Sequence, residues 1–181
     1  MADFDKAYKL TGHNEGGYAN NPNDHGGETY AGISRKFWPN WSGWSLIDLY
    51  KKQHGGVHGI DAYMSSNPIM QKSVASFYRQ NFWDVNKLDL INDQQLANNV
   101  YDFGVNSGVD EAAKVLQSIV GVAIDGVIGN HTIAETNSLD AKNTYDRYNA
   151  ERIRFYHSLS KNPGQLVFLK SWISRIKPYY T

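Results

Sequence analysis

Helix-length segments follow one another almost without pause from Asn67 to the end of the chain, and they leave little room for an extended sheet. In the first, Asn67 can cap, Pro68 sits at the first position, and Ile69, Met70, Val74, Phe77 and Tyr78 recur at helical spacing as far as Trp83. A second starts at Asn92 or Asp93 and carries Leu96, Val100, Tyr101 and Phe103. Val109 to Val120 lies between Gly108 and Gly121, and a turn at Asp125-Gly126 leads to a helix entered at Gly129 or Asn130. Asp140 to Leu159 and Gln165 to Ile176 complete the series, the latter with Leu166, Leu169, Ile173 and Ile176 on one face. Upstream, Phe4 to Asn14 reads as a helix, and two short helices are expected between Ser34 and Gln53, with Ser34 and Ser42 or Ser45 as caps. The expected class is mainly α, with a small β-hairpin or loop confined to residues between Glu15 and Ile33. With 181 residues the chain is expected to form one domain, residues 1–181, able to bury a core without staples.

Several chemistries are excluded by what the chain lacks. It has no cysteine, so disulfides, thiolate metal sites and a cysteine nucleophile are ruled out. Its formal net charge is zero, which offers no field for nucleic acid. The opening MADFDKAYKL has no apolar core of a signal peptide, and no stretch is long enough to span a bilayer. Charge is nevertheless segregated. Residues 84–140 hold two Lys/Arg against nine Asp/Glu, a net of −7, whereas residues 141–181 hold eight against two, a net of +6. The basic C-terminal segment either pairs with the acidic middle one, the simpler role, or makes weak contact with anionic membrane.

The stretch EGGYANNPNDHGGETYAGI, residues 15 to 33, carries the polar chemistry. Glu15 is expected in the last turn of the first helix, ended by Gly16 and Gly17, where the helix dipole and any apolar wall raise a carboxyl's pKa. Asp24 follows nine positions later and Thr29 five after that, across a loop of Asn, Pro and Gly turn residues. A lone Glu in that position is more often simply solvated. An acid and a second acid with a hydroxyl across a loop, however, can straddle a glycosidic bond, one carboxyl protonating the leaving oxygen and the other group handling water. The loop lacks the alternating acids of a calcium-binding hand, and His13, His25 and Glu28 fit no zinc spacing, so neither metal nor cofactor is expected. Phe37, Trp38, Trp41 and Trp44 crowd beside this stretch and are open to two readings, stacking on sugar faces or ordinary core.

The run EGGY…NPNDHGGETYAGI resembles the signature of glycoside hydrolase family 108, bacterial and phage N-acetylmuramidases. The similarity continues through FYRQNFWDVNKLD and VYDFGVNSG. LQSIVGVAIDGVIGNHTIA then resembles the peptidoglycan-binding repeat of that family's second half, and the tail ERIRFYHSLSKNPGQLVFLKSWISRI also fits. The resemblance implies a lysozyme-like helical fold whose residues 1–90 are catalytic and whose residues 91–181 form a peptidoglycan-binding-like part sharing the core. It implies cleavage of the β-1,4 bond between N-acetylmuramic acid and N-acetylglucosamine in peptidoglycan glycan strands, with the family's catalytic Glu falling on Glu15. The spacing of Glu15, Asp24 and Thr29 is also similar to the Glu, Asp and Thr set of phage lysozymes, which has one more residue before Thr. Tyr18, Tyr30 and Asn106 are the candidate substrate contacts.

Two other functions remain open on sequence: a lytic transglycosylase, for which one Glu suffices, and a non-catalytic peptidoglycan-binding module. Asp125, Gly126 and Gly129 in DGVIG either touch glycan or only set a turn. The expected setting is a monomeric phage endolysin, made in the host cytoplasm and reaching the periplasmic wall by holin-type or secretion-system release.

Overall fold

The computed structural model describes residues 1–12, 16–21 and 26–180. The protein is mainly α: the described residues form nine α-helices and one small antiparallel sheet. The chain divides into two compact units, residues 8–81, and residues 1–7 together with 82–181.

In the unit of residues 8–81 the sheet comprises β1 (Tyr18–Asn20), β2 (Glu28–Tyr30) and β3 (Ile33–Ser34), in that order. Tyr18 pairs with Tyr30, Ala19 with Thr29 and Asn20 with Glu28, while Thr29 also pairs with Ser34. The tight turn from β2 to β3 places both Ala31 (φ 49°) and Gly32 (φ 76°) in the left-handed region, as a hairpin matching strand twist requires. Tyr78 donates its hydroxyl to the Ala31 carbonyl at 2.8 Å and so holds the turn in place. A Cβ on residue 32 would stand 2.8 Å from the same hydroxyl, so only glycine fits there. The two short helices expected after Ser34 are instead one, α2 (Gly43–His54). Ser34 belongs to β3, where its hydroxyl donates to Gly26 O. Ser42 stands at the cap position of α2 but makes no cap bond, because its hydroxyl pairs with that of Ser73. Next come α3 (Ile60–Ser66) and α4 (Pro68–Tyr78), where Asn67 accepts from Ile69 N and Met70 N as its sequence indicates. The last turn of α4 widens into a π-helical stretch at Arg79–Trp83.

The first helix, α1 (Phe4–Thr11), is shorter than its apolar stripe suggests, giving way to Gly12 at a φ of 69°. In the unit of residues 1–7 and 82–181, Phe4 meets Trp83 and Tyr101 edge-on, each with centroids 5.8 Å apart. α5 (Gln94–Ser107), capped by Asp93, packs on α6 (Val109–Val120). α7 (Asn130–Ser138) follows, and then α8 (Ala141–Leu159), capped by Asp140. Leu96, Val100, Phe103, Leu116 and Tyr148 are fully buried in this unit. Here a buried cation is held by its partners: Arg152 donates to Asp102, to Tyr156 and to Asn99. The helix expected over Gln165–Ile176 is instead a 3-10 turn (Leu166–Phe168) and the short α9 (Leu169–Ser174). Leu166, Val167 and Phe168 are exposed, so no apolar stripe is buried early enough to hold one continuous helix.

Candidate active site

Glu15 and Asp24, the two acids singled out by sequence, lie outside the described residues, as do His13 and His25. The segment that follows Glu15 is described, and its two glycines lie at close approaches. A Cβ on Gly16 would stand 3.3 Å from the backbone nitrogen of Gly32, against the Ala31-Gly32 turn. A Cβ on Gly17 would stand 2.6 Å from Asp61 Oδ1. That carboxylate, on the first turn of α3, comes so close because it accepts the backbone N–H of Tyr18 at 2.5 Å. Thus the Gly-Gly-Tyr backbone is clamped between a hairpin turn and a carboxylate. Asp61 is not legible as a site residue, since its partner lies 43 positions away and the sequence accounts for Gly17 locally as the end of a helix.

Around this clamp lies a cavity of about 350 Å³, lined by Gly16, Gly17, Tyr30, Ala31, Asp61, Ala62, Ser65, Gln71 and Val74. Tyr30 is buried, its ring stacked on Trp41 at 6.4 Å and 15°. Burial raises its phenol pKa, a bond with Gln71 partly offsets this, and the nearby charge of Asp61 adds to the rise. Tyr18, half-buried, carries Lys51 Nζ 5.1 Å from its ring centroid.

Thr29 occupies the centre of β2. Alternation along the strand puts its side chain on one face, and those of Glu28 and Tyr30, with the paired Tyr18, on the other. The threonine and the two tyrosines therefore address opposite faces of the sheet. Glu28 is engaged elsewhere: one oxygen takes Arg35 at 2.9 Å and the other takes Lys51, tying β2 to α2. Arg35 continues to Asp48 at 2.6 Å and covers the Trp44 ring at 4.8 Å. Of the four clustered aromatics, Trp44 is buried core and Trp41 half-buried, whereas Phe37 and Trp38 are exposed.

Asn106 belongs to the other unit, exposed on the last turn of α5, where its Oδ1 accepts from the Tyr156 hydroxyl at 3.1 Å. The DGVIG turn is held from below by Gln117, 1% exposed, which donates to Asp125 Oδ1 and Val127 O and accepts from Asp125 N and Gly126 N. This bonding accounts for the Asp-Gly pair as a turn.

Residues 8–108 match the family model described as Glycosyl hydrolase 108, more than half of the chain. The chain belongs to glycosyl hydrolase family 108. Residues 111–177 of this family member match a second model, Predicted Peptidoglycan domain. The boundary between the two matches falls in the first turn of α6, so α5 lies within the hydrolase match while packing on α6 and α8. Eleven chains of known structure match this family member. One, the structure of Brucella abortus SagA, is similar with a TM-score of 0.64 and 27% identity, over 96% of this chain and 88% of that one. No curated protein matches. As a glycoside hydrolase with a peptidoglycan domain, the protein acts on peptidoglycan.

Proposed function

We propose that this hydrolase is an N-acetylmuramidase, cleaving the β-1,4 bond between N-acetylmuramic acid and N-acetylglucosamine, with Glu15 as general acid. Asp24, aided by Thr29, orients or activates water on the opposite face of the sugar. The observation that carries this reading is the clamp on Gly16, Gly17 and Tyr18 by Asp61 and the Ala31-Gly32 turn. A general acid must be held within hydrogen-bond reach of the leaving oxygen, and the chain invests two glycines and a distant carboxylate in fixing the backbone next to Glu15. The cavity at Asp61 gives a neighbouring sugar a place, with Tyr30 in its lining; Tyr18 and, more weakly, Asn106 are the other candidate substrate contacts. Residues 1–90 supply the chemistry and residues 91–181 a peptidoglycan-binding-like scaffold within one lysozyme-like domain. Separations of roughly 6.5–9.5 Å between the two carboxyls bring inversion and roughly 5–5.5 Å retention.

Mass spectrometry of purified peptidoglycan, digested with the wild type and with Glu15→Gln, tests the reading. Reducing N-acetylmuramic acid ends from the wild type alone are expected, because glutamine keeps the shape and loses the transferable proton. Anhydro ends would make the protein a lytic transglycosylase. An undigested sacculus that still binds protein would leave a binding module.

The biological role that fits is a monomeric phage endolysin reaching the periplasmic wall by holin-type or secretion-system release. Contact with anionic membrane falls to the basic C-terminal segment, supported by the exposed Leu166, Val167 and Phe168 close to Lys170. Leakage of anionic liposomes by the full protein is the expected result, and intact liposomes remove the contact.

A further inference from the structure

The exposed aromatics beside α2 form part of a second concavity, within the unit of residues 8–81 and lined by none of the cavity residues at Asp61. We infer that this groove, between the loop of Phe37–Ser42 and the outer face of α4, binds an uncharged N-acetylated sugar of a glycan strand. The inference rests on the hydrolase reading only for the choice of polymer.

The groove measures about 430 Å³, within the range of roughly 300–1,000 Å³ over which proteins hold small ligands. Phe37 is 64% and Trp38 41% exposed, an arrangement that water disfavours and that burial of the loop would relieve. The loop is instead fixed open. Trp38 N–H donates to Ser34 O at 2.9 Å, and the Trp44 indole N–H donates to the Trp38 carbonyl at 2.7 Å. Phe77 of α4 meets the Trp38 ring edge-on at 4.9 Å and 88°. Gly43 is glycine for the same purpose: a Cβ there would stand 2.2 Å from the Trp41 ring, which lies over the first residue of α2. The result is a rigid π surface, and a rigid surface loses little entropy on binding.

The polar part of the lining selects the ligand. Asn40, Ser76 and Gln80 make no side-chain hydrogen bond among the described residues, and Asn81 uses only its Nδ2, on Phe77 O at 2.8 Å. Amides and a hydroxyl are thus left with free donors and acceptors beside an aromatic face. Among the described residues no Asp, Glu, Lys or Arg lines the groove, and Lys36 Nζ stands over the Phe37 ring, 5.6 Å from its centroid, so the lining itself favours an uncharged ligand. A neutral sugar ring answers both halves: its C–H face carries positive edge charge for the indole quadrupole, and its hydroxyl and acetamido groups pair with the amides.

The test uses the Glu15→Gln protein and the tetramer of N-acetylglucosamine, with affinity measured by calorimetry and by tryptophan fluorescence. Adding Trp38→Ala is expected to weaken binding about tenfold or more, and Gln80→Ala, on an exposed helix surface that leaves folding intact, severalfold. Affinity unchanged in both variants, with melting curves showing them folded, overturns the site. Should Trp38→Ala fail to fold, Gln80→Ala alone decides. Wild type that hydrolyses peptidoglycan while the Glu15→Gln protein ignores the tetramer also overturns the site and leaves the muramidase reading standing. Tetramer binding through Trp38 in a protein without hydrolytic activity supports the site and sinks the muramidase reading instead.

Discussion

Asp61 accepts the backbone N–H of Tyr18 at 2.5 Å, and the room for it to do so comes from the missing side chain of Gly17. The two facts make one coupled device. An alanine at 17 must push the carboxylate away, and so break its bond to Tyr18. Gly17→Ala is therefore expected to lower peptidoglycan turnover by about tenfold to a hundredfold, the scale of an ångström-sized displacement beside a catalytic group. In an Asp61→Ala background the same substitution no longer meets the carboxylate and costs much less. Initial rates of the four proteins close the cycle; strictly additive effects would show that the contact does not hold the segment.

The hairpin turn behind that clamp depends on Tyr78. Its hydroxyl satisfies the buried carbonyl of Ala31, a residue held in the left-handed conformation. Tyr78→Phe leaves that carbonyl without the donor and is expected to cost about 1–3 kcal/mol in chemical denaturation. A loss well under that range would mean that water reaches the turn.

How much of this was legible in the sequence follows from how local each signal is. The caps at Asn67, Asp93 and Asp140 and the glycines at 108 and 121 act within four residues of themselves, and they mark the starts of α4, α5 and α8 and both ends of α6. Where a polar residue found a distant partner, local rules failed. Ser42 looks like a cap and pairs with Ser73 instead; Ser34 looks like one and sits in a strand. At the candidate site the Gly-Gly-Tyr motif was visible, but Asp61, Gln71 and Tyr78 reach it from α3 and α4, and no spacing rule connects them. Thr29 and Tyr30 adjoin in sequence, so strand alternation sends them to opposite faces, and only the register shows that Tyr18 shares the face of Tyr30.

Arg152 and Asp102 form a buried ion pair in the unit of residues 1–7 and 82–181. The Arg152 side chain is 2% exposed, and the Asp102 carboxylate that faces it also takes Arg175, which is 30% exposed. Removing the shared anion strands a buried guanidinium, so Asp102→Ala is expected to cost about 3–5 kcal/mol. Arg175→Ala removes a partly solvated partner and is expected to cost about 1 kcal/mol or less. Urea titrations of both variants compare the two; equal losses would contradict the difference in burial.

The Asp125 turn predicts a pH dependence of definite sign. The Gln117 amide donates to Asp125 Oδ1 at 2.7 Å and the Val127 N–H donates to it at 2.9 Å. Both favour the ionised carboxylate, the Gln117 bond more, and they hold its pKa below the ordinary aspartate value. The unfolded chain, at about 3.9, then binds the proton more readily than the folded one. The contribution is complete above about 3.9 and is lost as pH falls through the lower folded value. Asp125→Asn keeps an oxygen for the same donors but cannot ionise. Melting temperatures of the wild type and Asp125→Asn should differ by a constant amount from pH 7 to 5 and draw together below about pH 4. Other carboxylates titrate in both proteins and cancel from the difference. In a Gln117→Leu background the largest cause of the shift is gone, and the convergence should shrink. A gap that stays constant to the lowest pH would show that Asp125 is not held ionised by this turn.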